Sequence, residues 1–199
     1  MGDTCFRTDF KLRVVKQGLN RHRQVEMTEK LLDHELVERS LAGDERAMQE
    51  MFQRHHKKIY AMALRLTGSV SDAEDVVQET FIRAFRHLKT FRGDSKLSTW
   101  LCRIAINQSR DTYKKQARTV PEKDVAVEPG QKDALLTARL EKALKVLPEG
   151  YREVLVMHDV MGMGHKEIAE VLKTAEGTSK SQLHKARARM RELLSGSAA

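Results

Sequence analysis

Apolar residues recur at intervals of three and four from Leu31 to Arg118, and again from Asp133 to Leu194; no stretch alternates for long enough to make a strand. That single period restricts the chain to helices packed on helices. Between the two blocks lies ARTVPEKDVAVEPGQK, residues 117–132, which holds two of the three prolines and no period. The pattern predicts an all-α protein of two small helical domains, 31–116 and 133–194, joined by a flexible linker over 117–132. Residues 1–30 read as a basic N-terminal tail, expected to be disordered, and 195–199 as a C-terminal tail.

In the first block, Leu32, Leu36, Val37 and Leu41 line a helix that meets Gly43. Asp44 opens a second, carrying Ala47, Met48, Met51, Phe52, Ile59, Met62, Ala63 and Leu66 up to Gly68. A third begins in the acidic stretch SDAEDVVQETF, where Ser71 and Glu74 stand at capping-box spacing and Ala73, Val76, Val77, Phe81, Phe85 and Leu88 form the apolar stripe. Gly93 and Asp94 break the period, and a fourth helix from about Ser98 to Arg118 buries Leu101, Ile104 and Ala105. The second block carries Leu136, Leu140, Ala143, Leu144 and Leu147 before Pro148, then Tyr151, Val154 and Leu155 up to Gly162. The short amphipathic HKEIAEVLK and the basic GTSKSQLHKARARMRELL follow, the latter with Leu183, Ala186, Met190, Leu193 and Leu194 on one face.

With 36 Lys and Arg against 28 Asp and Glu, the net charge of +8 favours a polyanionic partner, nucleic acid first. Cys5 and Cys102 are far apart and in no CxxC spacing, which suits a reducing compartment; Cys102, beside Leu101, reads as a small buried hydrophobe. No apolar run reaches membrane-spanning length and the first residues lack a secretory apolar segment, so no membrane insertion and a cytoplasmic location are expected. Without HExxH, paired carboxylates or GxxxxGK[ST], no metal, cofactor, small-molecule substrate or catalytic residue is expected.

A short helix, a turn containing Gly177 and a basic helix make a helix-turn-helix pattern. Thr178 is the expected cap of the second helix, leaving backbone amides to face a phosphate. Opposite Leu183 and Ala186 lie Lys180, Ser181, Gln182, His184, Lys185 and Arg187. Lysine can donate to guanine, glutamine can pair with adenine, and arginines toward the end suit the DNA backbone. In the first block, Arg103, Asn107, Arg110, Lys114 and Arg118 recur by four, three, four and four, a stripe able to track phosphates. Ahead of it Phe91, Arg92, Gly93, Asp94, Ser95 and Lys96 offer a polar, bendable loop for an extruded base, with Trp100 as core or loop support.

These residues carry a family resemblance. GHKEIAEVLK followed by EGTSKSQLHKARARMREL resembles the region 4 helix-turn-helix of bacterial sigma factors, and SDAEDVVQETFIRAFRHLKTF followed by STWLCRIAINQSRD resembles their region 2. With two such blocks and a short linker, the chain is identified as similar to extracytoplasmic-function (ECF) sigma factors over residues 31–194. The resemblance implies a protein, not itself an enzyme, that binds core RNA polymerase and directs it to promoters. By carry-over, region 4 would read the minus-35 element through Thr178, Lys180, Ser181, Gln182, His184, Lys185 and Arg187. Region 2 would read and melt the minus-10 element through Phe91 to Lys96 and through Arg103, Asn107, Arg110 and Lys114. Asp72, Asp75, Gln78 and Glu79 would dock on the clamp helices of the polymerase's largest subunit. An anti-sigma factor is a further partner implied by the resemblance.

The chain departs from the family pattern in several places: Ser179 stands where an apolar residue is usual, Gln182 where a basic one is common, LKTAEGT is a more polar turn, and Ile106 replaces a residue that is often Arg. The acidic stretch has a plainer account as well, acid at the helix start and Arg83 and Arg86 at its end, matched to the helix dipole. The rival function is an autonomous helix-turn-helix regulator acting without polymerase, for which the first block shows no sensor signature.

Overall fold

The computed structural model describes residues 31–116 and 132–196, with side chains described for 31–112 and 137–196. All elements among the described residues are helical. The chain divides by its internal packing into two compact units, Met1–Met51 and Phe52–Ala199.

The first unit contains α1 (31–41) and the start of α2 (Glu45–Thr67). Gly43, at φ +89°, takes the left-handed conformation that reverses the chain between them. Asp44 then caps α2: its Oδ1 accepts from the backbone N–H groups of Arg46 and Ala47, at 2.9 and 3.2 Å. Its Oδ2 accepts from Nε and Nη2 of Arg39 at 2.9 and 2.7 Å, tying the end of α1 to the cap. The buried face of α1 is Asp33, Leu36, Val37 and Ser40, so Leu32 and Leu41 of the expected stripe stand exposed. The register is set one position inward at each end because a 33–36–37–40 face is the narrower stripe on a 3.6-residue helix.

In the second unit α2 ends at Gly68, φ +73°, and α3 (Val70–Arg86) follows. Its cap is Ser69, not Ser71. Ser69 holds the extended backbone of a cap (φ −133°, ψ 132°) and its hydroxyl accepts from the Asp72 amide at 3.4 Å, whereas Ser71 already lies in the first helical turn. α3 buries Ala73, Val76, Val77, Thr80, Phe81 and Ala84 and packs on α4 (Leu97–Gln116). Phe81 meets Phe52 edge-on with ring centroids 4.8 Å apart, and Phe85 is half-buried. On α4 the buried apolar residues are Leu97, Leu101, Cys102, Ala105 and Ile106; Ile104 is only half-buried, the face lying one position round from that expected. A 3₁₀ turn, Leu88–Thr90, buries Leu88 and links the two helices.

α5 (Lys132–Val146) runs to Pro148, where α6 (Glu149–Leu155) opens and passes directly into a π turn, Val156–Val160. α7 (His165–Leu172) starts with Glu167 Oε2 accepting from the Gly164 amide at 2.9 Å. It ends at Lys173, the one non-glycine residue at positive φ (54°) among the described residues. α8 (Glu176–Ser195) begins three residues later with Ala175 in the cap position. The reversal of the helix-turn-helix is therefore made by Lys173 to Ala175, and Thr178 is a first-turn residue of α8 rather than its cap. Ser179, Leu183, Ala186 and Met190 pin α8 down, while Met157 and Ile168 are fully enclosed; burying each large apolar side chain stabilises by about 1.5–3 kcal/mol. The expected tail 1–30, the linker up to 131 and residues 197–199 lie outside the described residues.

Candidate nucleic-acid and polymerase interfaces

On α3, helical spacing sets Asp72, Asp75 and Glu79 within about 60° of one another and Gln78 about another 60° on. Asp75 and Gln78 are exposed on the side away from Ala73, Val77 and Phe81, and Asp72 and Glu79 flank that buried stripe, half-covered. Glu79 Oε1 accepts from Arg83 Nε at 2.5 Å, so the acidic face ends where the basic end of the helix begins. The arrangement offers carboxylates on a rigid helix to a basic partner.

The loop from Phe91 to Lys96 is held at its base by Phe91 against Trp100, ring centroids 5.5 Å apart and inclined at 55°. Trp100 thus supports the loop. Gly93, at φ +74°, turns in open space, and Arg92 Nε reaches Asp94 Oδ2 at 3.1 Å on the exposed rim. Ser95 and Lys96 are half-buried where the loop enters α4.

Along α4 the expected basic stripe is divided. Asn107 is exposed; Lys114 lies on the helix but its side chain is beyond the described ones. Arg110 donates Nε and Nη2 to the two carboxylate oxygens of Glu153 on α6, at 2.6 and 2.7 Å, and its Nε lies 3.9 Å from Glu149. Arg103 points toward the Glu170 carbonyl at the C-terminal part of α7, 3.5 Å away. The acidic residues of α6 and α7 were not singled out by sequence, because their partners lie 43 to 68 residues away.

In the helix-turn-helix, Lys180, Ser181, His184 and Lys185 are exposed on α8, as is Thr178. Lys180 Nζ pairs with Glu176 at 2.7 Å, and the Ser181 hydroxyl donates to the Thr178 carbonyl at 2.9 Å. Gln182 is half-buried: a Cβ built on Gly150 would lie 3.3 Å from its Nε2, so the amide sits over the first turn of α6. Arg187 is turned onto Asp159 of the π turn, with Nη2 2.5 Å from Oδ1 and Nε 3.2 Å from Oδ2. Burial alone would raise the Asp159 carboxyl; the hydrogen bonds from Arg187 and His158 outweigh it and hold the group below its ordinary range. Ser179 is fully buried with its Oγ 3.0 Å from His165 Nδ1, a polar tie between α7 and α8. The signal for it was present in the sequence, a serine in line with Leu183, Ala186 and Met190.

An open groove of about 530 Å³ runs over Leu140, Leu144, Leu155, Val160 and Met190, with Arg65, Arg187 and Arg191 among its lining. Leu140, expected in the core, is exposed because it lines this groove. Cys102 is enclosed, and burial pushes its thiol up to about 12, so it stays protonated and unreactive. Among the described residues no three His, Cys, Asp or Glu side chains gather as metal ligands, and no helix is long and apolar enough to cross a membrane.

Two family descriptions match the chain in the order of these sites: Sigma-70 region 2 over residues 51–119 and Sigma-70, region 4 over residues 137–190. Among curated relatives, the ECF RNA polymerase sigma-E factor of Haemophilus influenzae is 31% identical, covering 81% of this chain and 94% of the relative. The RNA polymerase sigma-H factor of Pseudomonas aeruginosa is 34% identical, covering 78% and 90%. Among solved structures, CnrH in complex with the cytosolic domain of CnrY superposes with a TM-score of 0.68 at 29% identity, over 83% of this chain and 98% of that one. The sigma factor RpoE bound to the anti-sigma factor NepR, from Bartonella quintana, gives 0.66 at 29%, over 74% and 96%. The chain belongs to the ECF sigma factors, initiation factors that bind core RNA polymerase and direct it to promoters.

Proposed function

We propose that this sigma factor divides its work along the boundaries 31–116, 117–132 and 133–194. The first segment binds polymerase and opens the minus-10 element, the second spaces the contacts, and the third reads the minus-35 element. The acidic face of α3 takes the polymerase: Asp75 and Gln78 are its exposed centre, with Asp72 and Glu79 at its flank. Carboxylates there are repelled by DNA and attracted by basic protein, which separates the two kinds of partner on one basic chain.

At the minus-35 element, Lys180 and Lys185 are the base-reading candidates, and Ser181 and His184 lie beside them on the exposed face of α8. Arg187 is assigned to holding α8 against the π turn, where Asp159 already engages its guanidinium, and the half-buried Gln182 to packing over the first turn of α6. At the minus-10 element the loop from Phe91 to Lys96 receives an unstacked base, and Asn107, Arg103, Arg110 and Lys114 follow the strand. Polymerase supplies the catalysis, and the cytoplasm is where the two meet.

The apolar groove over Leu140, Leu155 and Met190 is assigned to an anti-sigma segment, since two structural relatives, CnrH and RpoE, were solved with such partners or with CnrY. The observation that carries the whole reading is the presence of both family blocks, in order, on a chain whose α3 and α8 expose opposite charges. A gel shift on promoter DNA with and without core polymerase tests it. Retardation that depends on polymerase is expected; equal retardation by the chain alone would instead indicate an autonomous regulator.

A further inference from the structure

Gln108 is buried on α4, one residue along from the exposed Asn107. A buried side-chain amide has to find partners, and the group this one faces is the guanidinium of Arg83 on α3. A guanidinium only donates, so the amide presents its oxygen: Arg83 Nη1 donates to it, and Arg83 Nε lies 3.2 Å away. The same Nε reaches Glu79 Oε1 at 2.5 Å. Glu79, Arg83 and Gln108 thus form one line of contacts, running from the flank of the acidic face of α3 to the buried side of α4. Two exposed side chains one helical turn apart make a weak and mobile pair. Here a third group, enclosed on the neighbouring helix, fixes the guanidinium from behind.

We propose that Arg83 and Gln108 are positioning residues for the polymerase contact: the Gln108 amide anchors Arg83, and Arg83 holds the Glu79 carboxylate in place for a lysine or arginine of the partner. This rests on the reading of the α3 face as the polymerase surface. An ionised carboxylate accepts about four hydrogen bonds, so the contact to Arg83 Nε leaves capacity for an incoming cation. Docking immobilises the side chains it uses, and a glutamate already clamped loses less rotamer freedom than a loose one. The planar fork is what allows one side chain to meet the glutamate and the amide together; an ammonium in its place carries the same charge without that geometry. Gln108 acts without reaching the partner itself, because it is buried.

The test measures the affinity of the full chain for core RNA polymerase by fluorescence titration of a labelled chain. Gln108→Met removes the amide at similar volume, and Arg83→Lys keeps the charge but not the fork. Arg83 is exposed, so its variant carries the test if Gln108→Met does not fold. Each should weaken polymerase binding about fivefold. In a Glu79→Gln background, where the carboxylate to be positioned is gone, the same two substitutions should change affinity by less than about twofold. That non-additivity separates positioning from a general loss of structure, which would act in either background. Wild-type affinity in both single variants, or an equal loss with and without the Glu79 carboxylate, overturns the proposal. Asp75→Lys, measured alongside, tells the two readings apart. If it loses polymerase while Gln108→Met and Arg83→Lys do not, only the positioning role fails; if it binds as the wild type does, the acidic-face reading fails and the positioning role with it.

Discussion

The hydroxyl of Ser179, fully buried in the first turn of α8, lies 3.0 Å from Nδ1 of His165 at the start of α7. This bond explains a departure from the family pattern: a serine is tolerated at a core position of the reading helix because a histidine from the helix before it satisfies the hydroxyl. His165 in turn stands 5.0 Å, ring to ring, from His158, which bonds Asp159 at 2.7 Å. Removing the hydroxyl with Ser179→Ala leaves a ring nitrogen without this partner and should cost about 1–2 kcal/mol in urea unfolding. A variant as stable as the wild type would deny the tie.

The same cluster makes stability depend on pH. Burial lowers the pKa of His165 first, the charges of His158, Lys180 and Arg187 lower it further, and Glu176 opposes them. Because the folded value lies below the ordinary 6.5, the unfolded chain takes up the proton more readily. The contribution is complete above about pH 6.5 and is lost as pH falls through the lower folded value. Melting temperatures of wild type and His165→Asn across pH 5 to 8 should converge toward the acid end, and parallel curves would contradict the assignment.

Asp159 behaves in the same sense at lower pH. Its depressed pKa means that the Arg187 pair stabilises above about 3.8 and fades as pH falls through the folded value. The pair is partly exposed, so Asp159→Asn should cost no more than about 1 kcal/mol at neutral pH. It should also free Arg187, and minus-35 duplex binding should then strengthen or stay level in an anisotropy titration. A clear loss of binding would mean that Asp159 orients Arg187 for DNA.

Reversal of Asp75 and Glu79 to lysine should abolish co-purification with core polymerase while changing unfolding free energy by less than about 1 kcal/mol, since these are surface positions. Wild-type co-purification would refute the acidic-face assignment. On the DNA side, Lys180→Ala or Lys185→Ala should weaken minus-35 recognition by about 1–3 kcal/mol if the contact is to a base. Unchanged promoter selection in a transcription assay would remove both from the site.

The helical period located nearly every element, because burial of one face is a local property that spacing records. Where caps were concerned it faltered: Ser69 and Ser71 are both competent acceptors, and only the backbone conformation decides between them. Lys173 was unreadable as the turn because lysine seldom adopts a left-handed backbone, while Gly177 next door advertises one it does not use. The exposed site residues of α3 and α8 were legible as charged faces. Arg103, Arg110 and Arg187 looked equivalent to them, yet each meets a partner contributed by a distant segment, which no local pattern encodes.

The central claim is promoter-directed initiation, and run-off transcription by core polymerase reconstituted with this chain on fragments of its own genome measures it directly. Discrete transcripts that require the chain, and that vanish with the Asp75 and Glu79 reversal, are the predicted result. Transcript patterns identical with and without the chain would contradict the account.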